Sequence, residues 1–209
     1  AQLAQAFAEV QTYKKGWPEW QDHWTQNYRV GRGTYFLGIG KPVEAEFEFL
    51  RAKEAIENQK RRQESGEFSG STRRPQQASS IAASREQILR LLGKSTIDQV
   101  KPALSEYYYR EALKGTLTEL SRASPRVALS LSGLSHAVAE QGRLDESVQL
   151  SKAALQSMKE SGSSETSLNV IEARRAYADA LSTNGNYKQA IEQYGLMKQS
   201  LAQNLELQN

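Results

Sequence analysis

The 209 residues contain two histidines, His23 and His136, and no cysteine. His136 and Glu140 stand four apart and would share one helix face, a ligand-like spacing. Two such groups fall short of the four ligands that a zinc ion takes, so the pair reads as polar surface rather than a metal centre. Residues 92–96 read LGKST, the tail of a phosphate-binding loop. The first glycine of that motif would fall at Ile88, and a helical pattern precedes it where a strand is needed. Gly31 and Gly33 lack the strand–turn–helix setting of a dinucleotide fingerprint. Glu44, Glu46 and Glu48 alternate, and a spacing of two turns about 200° on a helix, so they form no paired-carboxylate site. No Ser/His/Asp arrangement follows from spacing. These residue types predict no catalysis, no metal and no cofactor.

The other bulk properties narrow the class. Without cysteine there is neither a disulfide framework nor a thiolate metal site. No apolar run approaches the roughly 18 residues that span a bilayer. Compartment is left open: the composition suits the cytosol or the mature form of an exported protein. The net charge of +3 is matched by residues 58–83, which carry Lys60, Arg61, Arg62, Arg73 and Arg74 against Glu64 and Glu67. The rest of the chain has no basic excess of the kind that neutralises phosphates, so nucleic acid is not the expected partner. With 38% hydrophobic and 24% charged residues, much of the surface must be polar, as in an elongated fold.

The elements that would carry these residues are helices throughout. Leu3, Phe7 and Val10 give one apolar face over residues 1–16, a lone helix that caps a stack or completes an earlier unit. Gly16 can end it, and Pro18 can open the next. Trp17, Trp20 and Trp24 follow at spacings of three and four. They read as packing residues, or as an aromatic surface of the kind enriched in binding hot spots. Residues 24–37 and 40–56 predict a helical pair, with Val43, Phe47, Leu50 and Ala52 of the second helix turned inward. Gly31, Gly33 and Gly38 are tolerable in the first where a neighbouring helix comes close. Residues 58–83, rich in Ser, Gln, Gly and Arg, read as a flexible or disordered insertion. A helix capped by Ser84 then runs to about Gly93, a break falls at 94–96, and Pro102 kinks or restarts the next helix.

Residues 126–201 contain the organising signal. Two amphipathic hairpins repeat there, EQGRLDES around Gly142 and TNGNYKQA around Gly185, at an offset of 43 residues. Tyr109, Ala112 and Leu113 match Ser151, Ala154 and Leu155 at an offset of 42. Gly40, Ala45, Phe49 and Ala52 match Gly142, Ser147, Ser151 and Ala154 after two such periods and 18 further residues. One insertion therefore restores the register of the whole chain. The expected organisation is a single all-α array: a capping helix (1–16), repeat 1 (17–57), the insertion (58–83), a degenerate repeat 2 (84–121), repeat 3 (126–160) and repeat 4 (168–204). A fixed period of this length marks stacked supersecondary units.

The hairpins resemble the tetratricopeptide repeat (TPR) family. The last unit matches at Tyr177, Ala178, Leu181, Gly185, Tyr187, Ala190 and Tyr194, with Met197 in place of the late Ala. The preceding unit matches at Leu131, Leu134, Ser135, Val138, Gly142, Leu144, Ser147 and Ala154. The first matches at Gly33, Phe36, Gly40, Ala45, Phe49 and Ala52, with Pro42 at the usual aromatic. The family period is about 34, and the longer unit here resembles the kinesin-light-chain type, whose inter-repeat loops are longer. The resemblance implies a right-handed α-solenoid whose concave groove is lined by the first helix of each unit. It implies groove positions at Asn27, Val30 and Thr34, at Ser132, His136 and Glu140, and at Arg175, Asp179 and Thr183. The family's clamp for a terminal carboxylate needs Lys and Asn at several of these positions, and that set is absent. The implied function is a non-catalytic scaffold or adaptor holding a peptide or helix of another protein. The alternative is the regulatory or oligomerising part of a larger enzyme or signalling protein, with self-association open in either case.

Overall fold

All five prolines, Pro18, Pro42, Pro75, Pro102 and Pro125, stand in the first turn of a helix. A proline there lacks only an N–H that would have had no intrahelical partner, and its fixed φ suits the first turn. In the computed structural model, residues 5, 18–65, 74–119 and 122–206 are described, and these hold eight α-helices and no strand. The helices are α1 (Pro18–Gly38), α2 (Pro42–Glu64), α3 (Arg74–Ile97), α4 (Pro102–Glu119), α5 (Pro125–Ala139), α6 (Leu144–Glu160), α7 (Leu168–Thr183) and α8 (Tyr187–Glu206).

The turns after α1, α5 and α7 are built alike. Gly40, Gly142 and Gly185 take φ of 71, 77 and 78°. Their N–H groups bond back to Leu37, Ala139 and Ser182, and the next N–H groups bond to Phe36, Val138 and Leu181. This pair of bonds is the Schellman closure, which satisfies the last carbonyls of a helix and needs a left-handed residue. The turn between α3 and α4 places Val100 in the same left-handed region, at φ 59.

The chain divides into two compact units, Ala1–Gln99 and Val100–Asn209. Nearest-neighbour packing gives a repeat chain no global core to enforce a single unit. In the first unit α2 packs on both α1 and α3. Ala45, Phe49, Ala52, Ala55 and Ile56 of α2 and Ile81, Ile88, Leu89 and Leu92 of α3 are buried. A Cβ on Gly33 would lie 2.4 Å from the Phe49 ring, so this glycine is a socket for that ring. Gly31 and Gly38 face open space, so close helix approach explains only one of the three.

The inward face of α2 differs from the expected one. Val43, Phe47 and Leu50 are 63%, 54% and 41% exposed, whereas Ala52 is buried as expected. The buried row is Ala45, Glu48, Phe49, Ala52, Ala55 and Ile56. It includes a glutamate, 3% exposed, whose charge is met by Arg29 at 2.8 Å and Arg32 at 3.3 Å. Two guanidinium groups supplied by α1 make a carboxylate tolerable on the packed face.

Residues 58–64 and 74–83, assigned to a flexible insertion, are helical. Gln, Lys, Arg, Glu and Ala are good helix formers, so polar composition did not mean loss of helix. Ile81 is buried and extends the inner row of α3 by two turns. Much of the 18-residue surplus lengthens α2 and α3, which have 23 and 24 residues against 17 in α6 and 15 in α5. The break expected at 94–96 lies at 98–101 instead. Ser95 and Thr96 are buried, and both hydroxyls donate to the Leu92 carbonyl, at 3.0 and 2.8 Å. Residues 66–73, the helix expected over residues 1–16 (Gln5 apart), Trp17 and the Trp20 side chain lie outside the described set.

In the second unit each helix packs on the next, and α5 also packs directly on α7. Leu155 and Met158 of α6 meet Ala128 of α5 and Val170 and Ala173 of α7, with Tyr177 against them. Val148, Ala180, Leu181 and Ala190 form the next cluster, edged by Tyr177 and Tyr194. The small residues at the crossings, Ser135, Ser147, Ala178 and Ala190, are buried. Gly133 of α5 receives the ring of Tyr109 from α4, 2.2 Å from where a Cβ would stand.

Candidate partner-binding surface

The nine positions implied by the family resemblance fall on α1, α5 and α7, at spacings that keep each trio on one helix face. Asn27 and Thr34 are exposed and Val30 is half-buried. The Asn27 amide lies 3.0 Å from Nε2 of His23. Thr34 donates to the Val30 carbonyl at 2.9 Å, so its hydroxyl is engaged within its own helix.

On α5, Ser132 is half-buried and its carbonyl accepts the Ser135 hydroxyl at 3.0 Å. His136 and Glu140 are exposed, with Nε2 3.5 Å from the Glu140 carboxylate. On α7, Arg175 reaches Asp179 and Glu172, both at 2.9 Å. The hydrogen bond that Arg175 donates to Glu172 does most to raise the Arg175 pKa, and burial opposes it. Thr183 donates to the Asp179 carbonyl at 3.0 Å. Because α5 and α7 pack side by side, the two trios sit on adjacent helices of one unit, and their side chains carry both signs of charge.

Sequence reasoning missed two members of this arrangement. Glu172 stands one turn before Arg175. Tyr194, which the sequence offers only as a match to the repeat pattern, donates its hydroxyl to Oδ1 of Asp179 at 2.6 Å. That bond, with burial second, pushes the Tyr194 pKa up to about 12. The resulting chain, Glu172–Arg175–Asp179–Tyr194, links the surface of α7 to α8.

Beneath the surface the second unit is held by charge as well as by apolar packing. Glu106 of α4 accepts from Gln141 at 2.7 Å, from Arg143 at 2.9 Å to each oxygen and from Arg110 at 2.8 Å. Burial pushes its carboxyl up, but these donors outweigh it and hold the pKa at about 2. Arg174, buried on α7, pairs with Glu165 and donates to Gln193 at 3.1 Å.

Among the described residues no three His, Asp or Glu side chains are grouped to hold a metal ion. No described helix is long and apolar enough to cross a membrane. A cavity of about 260 Å³ in the first unit is lined by Asp22, Thr25, Arg29, Phe47, Arg51, Glu54, Ala55 and Asn58. Arg51 lies over the Phe47 ring and bonds Glu54 at 3.1 Å, so its charge is already engaged.

No protein-family model matches the sequence. A comparison with curated proteins gives no match. Solved structures do resemble the fold. A variant of a Podosopora anserina protein described as a kinesin light chain of nearly identical TPR-like repeats superposes with a TM-score of 0.63 at 14% identity, over 98% of this chain and 85% of that one. BtubC (BKLC) from P. vanneervenii gives 0.57 at 15% identity, over 96% and 89%. The apo form of RapI gives 0.53 at 11%, over 96% and 60%. At these identities the likeness establishes the fold, an all-α architecture of TPR-like helical hairpins.

Proposed function

We propose that the chain is a non-catalytic protein-interaction scaffold that holds a peptide or helix of another protein against the exposed faces of its first helices. The observation that carries this reading is the adjacency of α5 and α7. They pack directly on each other, bury one face in the core and leave His136, Glu140, Arg175, Asp179 and Thr183 outside. Polar side chains of both signs on a rigid, continuous helical surface suit a partner of mixed charge. Asn27, Val30 and Thr34 on α1 extend the same role to the first unit. The 42–43-residue period favours the long-repeat, kinesin-light-chain type of unit.

Affinity purification with the native chain and with Arg175→Glu tests the reading. Arg175 is half exposed, so the substitution leaves the core intact and places three carboxylates on one surface. Loss of a specific partner is expected. An unchanged partner list moves the site off α7.

A further inference from the structure

A second surface lies on α8, and its residues are arranged for a different occupant. Tyr187, Ile191, Tyr194, Lys198, Leu201 and Leu205 are spaced four, three, four, three and four. That is the a/d seam of a heptad, a narrow stripe about 27 Å long. Tyr187, Ile191 and Leu205 are 65%, 71% and 54% exposed, and Leu201 and Lys198 are exposed too. One repeat earlier, α6 carries Val148, Leu155 and Met158 at the positions of Ile191, Lys198 and Leu201, and there they are buried under α7. The stripe is therefore a packing row, and among the described residues no helix covers Tyr187, Ile191, Lys198 and Leu201 on α8.

We propose that a second copy of this chain covers it, through an antiparallel α8–α8 pair about a two-fold axis between Tyr194 and Lys198. The stripe is self-complementary in that arrangement. Tyr187 meets the partner's Leu205, Ile191 meets the partner's Leu201, and Lys198 meets the partner's Tyr194. Every apolar side chain faces an apolar one. The single cation faces an aromatic ring whose hydroxyl is bonded to Asp179, which gives a cation–π contact beside a carboxylate. Another helix of the α7 kind would not suit this row, because Lys198 stands where α6 has Leu155 packed against Val170 and Ala173. A lone lysine at an a position instead sets register and partner number.

Gly195 supports close approach. It lies mid-helix beside the midpoint of the stripe, where glycine costs about 1 kcal/mol relative to alanine. Nothing within 4 Å occupies its Cβ site, whereas Gly33 and Gly133 each receive a ring. Ala202, one heptad on, continues the small-residue flank.

Sedimentation of the full chain tests the pairing. A helix pair of this length is a small interface, so the mass of 23.4 kDa is expected to double at about 10–100 μM. Ile191→Glu, at an exposed position, is expected to return a monomer with an unchanged helical spectrum, and Lys198→Glu to weaken the dimer at least about tenfold by repelling Asp179. The chain has no cysteine, so single replacements report register cleanly. A mixture of Ile191→Cys and Leu201→Cys chains should form the mixed disulfide dimer, and Ile191→Cys alone should form little. A chain that stays monomeric at about 100 μM, a dimer indifferent to Ile191→Glu, or efficient self-crosslinking of Ile191→Cys overturns the proposal. If the monomer instead binds a foreign helix through Ile191, the occupant is a heterologous partner and the two-fold pair is wrong.

Discussion

Val100 holds the turn position that Gly142 holds one repeat later, and both are left-handed, at φ 59 and φ 77. For a β-branched residue this region is an outlier, because its Cβ crowds the backbone. The strain is about 1–3 kcal/mol. The Val100 side chain is 82% exposed and makes up for none of it by burial. Val100→Gly should therefore raise stability by about 1 kcal/mol, after subtracting the added freedom of the unfolded chain. Thermal unfolding should show a rise in Tm of a few degrees. An unchanged or lower Tm would mean that the turn is not under strain.

Gly31 and Gly33 lie two residues apart on α1 and should respond oppositely to alanine. Open space surrounds Gly31, whereas a Cβ at Gly33 would sit 2.4 Å from the Phe49 ring. Gly31→Ala should stabilise by up to about 1 kcal/mol through helix propensity. Gly33→Ala forces a buried ring to move and should cost about 1–3 kcal/mol. Denaturant titration of both variants separates the two. Equal effects would show that Phe49 is not seated in a socket.

The hairpins around Gly142 and Gly185 were legible because glycine at a left-handed turn and small residues at helix crossings are chemically constrained. Such positions repeat in type, and the period exposes them. The inner face of α2 was not legible, because the apolar row Val43, Phe47 and Leu50 is as regular as the row that is buried. Only the pairing of Glu48 with Arg29 and Arg32, 19 and 16 residues away in sequence, decides between them. The helical ends at 58–64 and 74–83 were hidden by composition, since Gln, Ser and Arg serve a solvated helix as readily as a loop. For the surface of α5 and α7, helix spacing paired His136 with Glu140, whereas Arg175 and Asp179 came only from the family resemblance. Tyr194, on the following helix, could be joined to Asp179 only by the three-dimensional packing.

Glu48 also sets a prediction against a surface control. Removing its charge leaves Arg29 and Arg32 beside a packed face without a counter-ion, and such losses cost about 3–5 kcal/mol when the partners are fully buried. Here the arginines are 28% and 39% exposed, so water screens part of the cost. Glu48→Gln should lose about 2 kcal/mol. Glu54→Gln breaks the Arg51 pair, whose members are both more than half exposed, and should change stability by less than about 0.5 kcal/mol. Urea unfolding of the two variants checks the contrast. A similar small loss in both would place Glu48 in effective contact with solvent.

Glu106 gives the fold an acid-sensitive joint. Its carboxyl, held at about 2 against an ordinary 4.5, is favoured as the anion in the folded state. A depressed folded value means that the folded state binds the proton less readily than the unfolded chain. The stabilisation is complete above about pH 4.5 and is lost as the pH falls towards about 2. Protonation removes the acceptor shared by Gln141, Arg110 and Arg143, which loosens α4 from the Gly142 turn. Tm measured from neutral pH down to about 3 should fall more steeply in the native chain than in Glu106→Gln, which starts lower. The gap between the two curves should narrow towards the acid end. Glu165, also depressed although burial opposes it, with Lys159 and Arg174 as its donors, contributes equally to both proteins and drops out of the difference. Parallel curves would show that Glu106 does not couple α4 to the turn.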